Sequence, residues 1–147
     1  MIYLFSTPFG PIRYDWDGVV CRKIELQEEP LNRDKMTLPP HDDPVSVWLE
    51  SYFRGQVKEL PPLQQAATPF QQAMREALQK IPVGSACSYG EIATVLHSSP
   101  RGLGQALKAN RLPILIPCHR IIAANGLGGF TGGLIWKQRL LRLEGFL

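Results

Sequence analysis

The chain is poor in cysteine, in long apolar runs and, over its second half, in acidic residues. Its three cysteines, Cys21, Cys87 and Cys118, are odd in number and widely spaced, with no C-x-x-C pair and no histidine alongside except His119. A disulfide framework and a thiol-rich zinc site are therefore excluded as organising devices, and the thiols are expected to be reduced. No stretch approaches the roughly 18 consecutive apolar residues of a membrane span. The start, Met1-Ile2-Tyr3-Leu4-Phe5-Ser6-Thr7-Pro8, has neither the basic region nor the long apolar run of a signal peptide. These absences predict a cytosolic protein with no membrane partner. At 147 residues the chain is too short for a tandem array and long enough for one large domain or two small ones.

The scarcity of acids is local. Residues 69–147 hold only Glu76, Glu91 and Glu144 against nine Lys/Arg, whereas residues 1–68 hold ten acids against seven bases, an asymmetry that the net charge of +3 conceals. A basic half favours a polyanionic partner, because lysines and arginines displace counterions from a phosphate backbone. A merely solvated basic surface has the same composition.

What is present falls into two parts. Ile2-Tyr3-Leu4-Phe5, Ile12-Arg13-Tyr14-Asp15-Trp16 and Val19 to Leu26 are rich in β-branched and aromatic residues and are separated by the turn signals Pro8-Phe9-Gly10-Pro11 and Asp17-Gly18, which predicts a three-stranded antiparallel meander. Residues 27–42 read as an irregular, proline-bearing connection. Asp42 or Asp43 can cap a helix with Pro44 in its first turn and Val45, Val47, Trp48, Leu49, Tyr52 and Phe53 toward the sheet, stopped by Gly55. Pro61-Pro62 and Pro69 bound a linker at the charge boundary, so the division expected is 1–63 and 64–147. Beyond it, Thr68 caps a helix from Pro69, and Ser88 caps a short helix from Tyr89 to Leu96. Ser98 or Ser99 caps another that runs from Pro100 to about Ala109, and a last helix spans Leu134 to about Leu143. The two short helices suggest helix-turn-helix. The second is unusual, for Gly102, Gly104 and Ala106 leave a face almost bare, which suits either tight helix packing or close approach to a nucleic-acid groove.

The segment with most chemistry is Ile116-Pro117-Cys118-His119-Arg120, at the end of the apolar run Pro113-Ile114-Leu115-Ile116. A free thiol titrates near pH 8.5 and is only a few per cent thiolate at about pH 7, so reactivity needs a basic or cationic neighbour. His119 can serve as the base or be a satisfied structural histidine, and Arg120 can stabilise the thiolate or instead serve the fold or the phosphate backbone. Inert core filling is the alternative for any cysteine in apolar surroundings, and it is the expectation for Cys21 and Cys87. The glycine-rich stretch Gly128-Gly129-Phe130-Thr131-Gly132-Gly133 is no dinucleotide fingerprint, because it neither follows a strand as G-x-G-x-x-G nor opens a helix in that frame. It reads as a mobile or close-approach loop.

Pro117-Cys118-His119-Arg120, preceded by Asn110 and Pro113-Ile114-Leu115-Ile116 and followed by Gly132-Gly133-Leu134 and Leu143-Glu144-Gly145, closely resembles the O6-alkylguanine-DNA alkyltransferase family, the methylated-DNA-protein-cysteine methyltransferases. The resemblance covers the chain from about Pro69 onward, and the first half fits by layout. It implies an α+β fold: a small ribonuclease H-like N-terminal domain with a three-stranded antiparallel sheet and a helix, and a mostly helical C-terminal domain with a winged helix-turn-helix. The implied reaction is irreversible, stoichiometric transfer of the alkyl group from O6 of guanine, and from O4-alkylthymine, in double-stranded DNA to Cys118 after the nucleotide is flipped through the minor groove. By the same resemblance His119 acts through a water and is oriented by Glu144, and the phenol of Tyr89 gives a proton to the departing base. Arg101 is the finger that fills the gap in the stack, and Gly102, Gly104, Ala106, Lys108 and Asn110 lie on or beside the DNA-binding helix. Asn110, Pro117, Ile121, Phe130, Thr131, Gly132 and Gly133 form the pocket and its hinge. Phe130 stands where a tyrosine is common, and the segment from Tyr89 to Arg101 is shorter than usual by about two residues, so a tight turn between the helices is expected.

No cofactor and no metal are implied, since the zinc ligands of some members have no match. The protein is expected to act as a monomer, with cooperative assembly on DNA compatible with it. The competing reading is a sensor that binds alkylated lesions without transferring anything; such relatives replace the cysteine. A major-groove regulator would want long polar side chains where Gly102, Leu103, Gly104 and Ala106 stand.

Overall fold

A computed structural model describes residues 1–27, 43–56 and 58–147; all but the first residue of the irregular connection expected at 27–42 lies outside the described residues. The chain forms two compact units, Met1–Gln64 and Gln65–Leu147, and the whole is a mixed α/β protein with one three-stranded antiparallel sheet. Among the described residues no helix is long and apolar enough to cross a membrane.

In the first unit β1 (Ile2–Thr7), β2 (Gly10–Trp16) and β3 (Cys21–Leu26) pair as the predicted meander. The register sets Tyr3 opposite Tyr14 and Ile12 opposite Leu26, and it shifts between Asp15 and Trp16. Val19 and Val20 fall in the turn before β3, whose start is set by that shift. Helix α1 (Pro44–Phe53) begins at Asp43, whose carboxylate accepts the amides of Val45 and Ser46, satisfying two of the donors that every helix start leaves unpaired. The other oxygen of Asp43 accepts the buried Tyr14 hydroxyl, so the cap also ties the helix to β2. Of the six apolar residues expected to face inward, Val45, Leu49 and Tyr52 are buried, while Val47, Trp48 and Phe53 are half-buried; Phe53 meets the rings of Phe5, Phe9 and Tyr52, and Trp48 stacks on Tyr52. Part of the stretch expected to be linker is fixed: Cys21 donates to Pro62 O and Gln64 donates to Cys21 O, which adds a short parallel edge to β3.

In the second unit α2 (Pro69–Gln79), α3 (Tyr89–Val95), α4 (Pro100–Lys108) and α5 (Leu134–Leu143) surround a core that includes Met74, Leu78, Leu103, Trp136, Leu140 and Leu141. Ser88 and Glu91 close a capping box at the start of α3, and Ser99, not Ser98, caps α4. A two-residue parallel ladder joins β4 (Cys87–Ser88) to β5 (Ile121–Ile122), and β4 carries too little sequence to announce itself.

The connection from α3 to α4 is as short as expected, and its geometry explains how. His97 N donates to Thr94 O and Ser98 N to Ala93 O, the paired bonds of a Schellman ending, with His97 in the left-handed region at φ 53°. The same ending closes α1 and α5, where Gly55 and Gly145 take that conformation without steric penalty. His97 is exposed, so nothing offsets its cost. His97→Gly should therefore stabilise the second unit by about 0.5 to 1 kcal/mol, the relief of a left-handed residue less the added freedom of glycine in the unfolded chain; a rise in melting temperature of a few degrees checks it, and a fall would show that the His97 side chain contributes more than its backbone costs.

Candidate active site

Leu112 to Arg120 is a run of nine buried residues, and it holds the Cys118-His119-Arg120 triplet inside the second unit. Its path is set by one buried side chain. Asn110 Oδ1 accepts Leu112 N at 3.1 Å, while its Nδ2 lies 3.3 Å from Ile116 O and 3.2 Å from Cys118 Sγ. The amide thus bridges both ends of a tight loop and touches the thiol at its exit. Within the loop Ile114 is left-handed at φ 73°, a strained setting for a buried β-branched residue. Pro117 follows at φ −78° and ψ 63°, the inverse γ-turn for which a proline ring is preset, and Cys118 N donates to Ile116 O across it at 2.7 Å. Cys118–Arg120 then forms one turn of 3₁₀-helix that leads directly into β5.

The β4–β5 ladder brings a second group to the thiol. Residues Ile121 and Ile122, next along the chain from the triplet, pair with Cys87 and Ser88, and Ser88 caps the helix that Tyr89 opens. Tyr89 and Cys118 consequently line one cavity of about 440 Å³, together with Gly104, Leu107 and Lys108 from α4 and Gly129, Phe130 and Thr131 from the glycine-rich loop. The Phe130 ring meets His119 edge to face, with centroids 6.3 Å apart. Gly128 backs the same wall at φ 74°; a Cβ there would stand 3.0 Å from Tyr89 Cε2 and 3.2 Å from its hydroxyl.

Charge around the triplet decides between the two readings of Arg120. His119 Nε2 lies 2.6 Å from Glu144 Oε2, and Arg120 grips the same carboxylate twice, Nε to Oε1 at 2.8 Å and Nη2 to Oε2 at 3.1 Å. Arg120 Nη1 donates to Ile81 O at 2.8 Å. The guanidinium is therefore committed to Glu144 and to the end of α2, and it is no stabiliser of the thiolate. Adjacent residues on a 3₁₀ turn point apart, which is why sequence proximity misleads here. Burial holds His119 below the ordinary histidine range against the opposing pull of Glu144. A neutral ring beside a carboxylate carries its proton on Nε2, which leaves Nδ1 as the basic nitrogen; Nδ1 is buried with no hydrogen-bond partner of its own.

Burial also pushes the Cys118 thiol up to about 11, partly countered by the Asn110 amide and by the charge of Lys137. The resting group is a thiol, so any nucleophilic step must remove its proton in place. Cys21 is buried and pushed up to about 12 by burial, whereas Cys87 is half-buried in β4.

Of the residues singled out from sequence, Cys118, Tyr89, Phe130, Thr131, Gly104 and Lys108 meet at the cavity, and His119 and Glu144 lie behind it. Gly132 and Gly133 precede α5 and do not line it, and Pro117 and Ile121 are buried behind it. Arg101 is exposed at the start of α4. The bare face expected on α4 is not one face: positions two apart on a helix differ by about 200°. Gly104 opens onto the cavity, Gly102 fits beneath the Ser98 and Ser99 hydroxyls, and Ala106 is buried with its carbonyl bonded to Gln71. Ala106 and Asn110, both expected on or beside the DNA-binding helix, are buried. Leu107, Gly129 and Lys137 escaped the sequence reading. A lysine within an otherwise apolar and basic helix carries no signal that it is buried. Among the described residues no three His, Cys, Asp or Glu side chains could hold a metal ion.

Residues 69–146 match the family described as 6-O-methylguanine DNA methyltransferase, DNA binding domain. A methylated-DNA-protein-cysteine methyltransferase of Methanopyrus kandleri is 44% identical over 101 residues, covering 67% of this chain and 77% of that protein. One of Thermococcus sibiricus is 34% identical over 151 residues, covering 97% and 86%. Among solved structures, the Mycobacterium tuberculosis OGT in complex with DNA superposes with a TM-score of 0.80 at 33% identity, over 97% of this chain and 92% of that one.

Two substitutions test the geometry. Glu144→Ala should cost about 3 to 5 kcal/mol, because it leaves the Arg120 guanidinium buried and uncompensated; equilibrium denaturation measures it, and a loss under about 1 kcal/mol would mean that solvent reaches the arginine. Gly128→Ala should cost about 1 to 2 kcal/mol from its left-handed backbone and displace the Tyr89 ring, while Gly126→Ala, with nothing within 4 Å of its Cβ, should be near neutral; melting curves of the two variants, read side by side, decide whether the Tyr89 contact is as close as described.

Proposed function

Because the chain belongs to the 6-O-methylguanine DNA methyltransferase family, we propose that it repairs DNA directly by moving the alkyl group of O6-alkylguanine onto Cys118. The observation that carries this reading is a protonated thiol on the wall of a cavity bordered by α4, the helix expected to meet DNA, with a neutral histidine held by a carboxylate behind it. A thiol so deeply placed cannot reach a base that stays in the duplex. The nucleotide must be extruded into the cavity, which costs a few kcal/mol and less for a damaged pair.

In this mechanism the thiol proton passes to His119 Nδ1 through a water, while Glu144 accepts from Nε2–H and stabilises the imidazolium that forms. The sulfur attacks the alkyl carbon; the new S–C bond forms as the C–O6 bond breaks, and its electron pair stays on the guanine. The Tyr89 phenol gives its proton to the departing base, and the proton held on His119 returns to the tyrosinate by way of solvent. The product is an S-alkylcysteine and an unmodified guanine. Freeing the cysteine again would require its thiolate to leave the alkyl carbon of a neutral thioether, for which it is a poor leaving group, so the protein acts once. Asn110 and Arg120 touch neither substrate nor reacting atoms except through the Asn110–Sγ contact; they position the thiol and the carboxylate.

On the same reading α3 and α4 are the helix-turn-helix of a winged domain at 64–147, and 1–63 is a ribonuclease H-like domain with no chemical role. Arg101 and Lys108, both exposed, flank the helix surface that includes Gly104; Lys108 would meet phosphate and Arg101 would fill the gap left by the flipped nucleotide. The protein would act as a cytoplasmic monomer on double-stranded DNA, and O4-alkylthymine would fit the same chemistry.

Incubation with a duplex carrying one O6-methylguanine should add one methyl group to the intact protein, and Cys118→Ala should add none. Tight lesion binding with unchanged protein mass would sink transfer in favour of a sensor. Arg101→Ala should slow reaction with the duplex at least about tenfold, a loss of some 1.4 kcal/mol in the barrier, yet spare reaction with free O6-benzylguanine; equal losses on both substrates would contradict a role in extrusion.

A further inference from the structure

Lys137 lies on α5 with its side chain wholly buried. Buried ammonium groups are rare unless every N–H is bonded, and here all three are: Nζ donates to Ile121 O at 2.6 Å, to Gly129 O at 3.0 Å and to Leu127 O. All three acceptors are neutral carbonyls, so the donors are spent without an ion pair. Arg120, the other buried cation of the site, has its charge matched by Glu144. Its charge acts on the Cys118 thiol and the His119 ring of the 3₁₀ turn, while β5 and the glycine-rich loop meet it with the backbone carbonyls named above.

These acceptors are placed where the reaction needs rigidity. Ile121 follows the nucleophile by three residues and pairs with β4, whose end leads into Tyr89. Leu127 and Gly129 flank Gly128, the residue against which the Tyr89 ring rests, and Gly129 lines the cavity. One ammonium therefore links the strand behind the sulfur to the wall that would enclose the base.

We infer that Lys137 is a positioning residue for the transfer, its buried ammonium tying the cavity wall to β5 and holding a positive charge near Cys118 as the thiol gives up its proton. The inference rests on the reading of Cys118 as the alkyl acceptor. The opposing charges support each other: a cation in a dry site stabilises a nearby sulfur anion, and the anion in turn favours the cation. Burial pushes Lys137 down to about 8, so the charge is present at pH 7 and is lost as the pH rises past that value.

The test measures single-turnover methyl transfer from an O6-methylguanine duplex across pH 6 to 10 for the parent, Lys137→Gln and Lys137→Arg, with the fold of each variant checked by melting. Glutamine keeps donors for the carbonyls and removes the charge; arginine keeps the charge. The expected result is that Lys137→Gln is slower by about tenfold at pH 7, the equivalent of a one-unit rise in the proton affinity of the thiol. Its deficit should narrow above about pH 8, where the parent loses the same charge, and Lys137→Arg should keep most of the pH 7 rate. A folded Lys137→Gln with the parent's rate, or with a deficit that is the same at every pH, would overturn the inference, since a purely structural role gives no pH signature. Should Lys137→Gln fail to fold, Lys137→Arg decides: loss of the parent's rate limb near pH 8 supports the inference and an unchanged limb overturns it. Failure of the parent itself to gain a methyl group would instead remove the transfer reading, leaving no reaction for Lys137 to serve.

Discussion

One carboxylate holds the second unit's site together. Glu144 is the C-cap of α5, its side chain is 1% exposed, and it receives His119 and Arg120 at once. Arg120 extends the connection to Ile81 at the end of α2, so three separate elements meet at a single anion. Gly145 closes α5 with a left-handed residue just past this point, which directs Glu144 inward instead of into a further helical turn. Charge burial on this scale tolerates no missing partner, and the arginine and the histidine are as necessary to the carboxylate as it is to them.

That arrangement separates two jobs that the sequence places side by side. Arg120 neutralises and orients; His119, kept neutral by burial, retains a basic nitrogen. The sulfur is thereby denied the nearest cation in the chain, and burial leaves it protonated at rest. Burial also protects the sulfur, since thiolate character and exposure together make a cysteine prey to any oxidant or electrophile. Under the proposed function, reactivity is coupled to occupation of the cavity by the alkylated base.

The backbone around the sulfur is equally constrained. A left-handed Ile114 and an inverse γ-turn at Pro117 are unfavourable or narrow choices, and they persist because Asn110 spans them with three hydrogen bonds. The small residues of α4 answer three different needs: room beneath serine hydroxyls at Gly102, access to the cavity at Gly104, and interior packing at Ala106.

Strong local signals in the chain sufficed for the meander and narrowed four of the five helix caps to one or two residues, and they marked the Cys118-His119-Arg120 triplet as the candidate, because alternation, N-cap residues and Gly/Pro punctuation act over a few residues and leave their mark in order. Asp43, Thr68, Ser88 and Ser99 each cap the helix their position suggests. The two-residue strand β4 left no such mark, and neither did the direction of each side chain on the 3₁₀ turn. Arg120 was legible as a cation beside a thiol, and only the fold sends it to Glu144, 24 residues away. Lys137 was legible as one more base on a basic helix, and only the fold buries it against three carbonyls. Sequence by itself determined which groups could react, since that depends on residue type and near neighbours; tertiary structure decided which charges reach the sulfur, since burial and partners drawn from distant elements set whether a charge is spent or free.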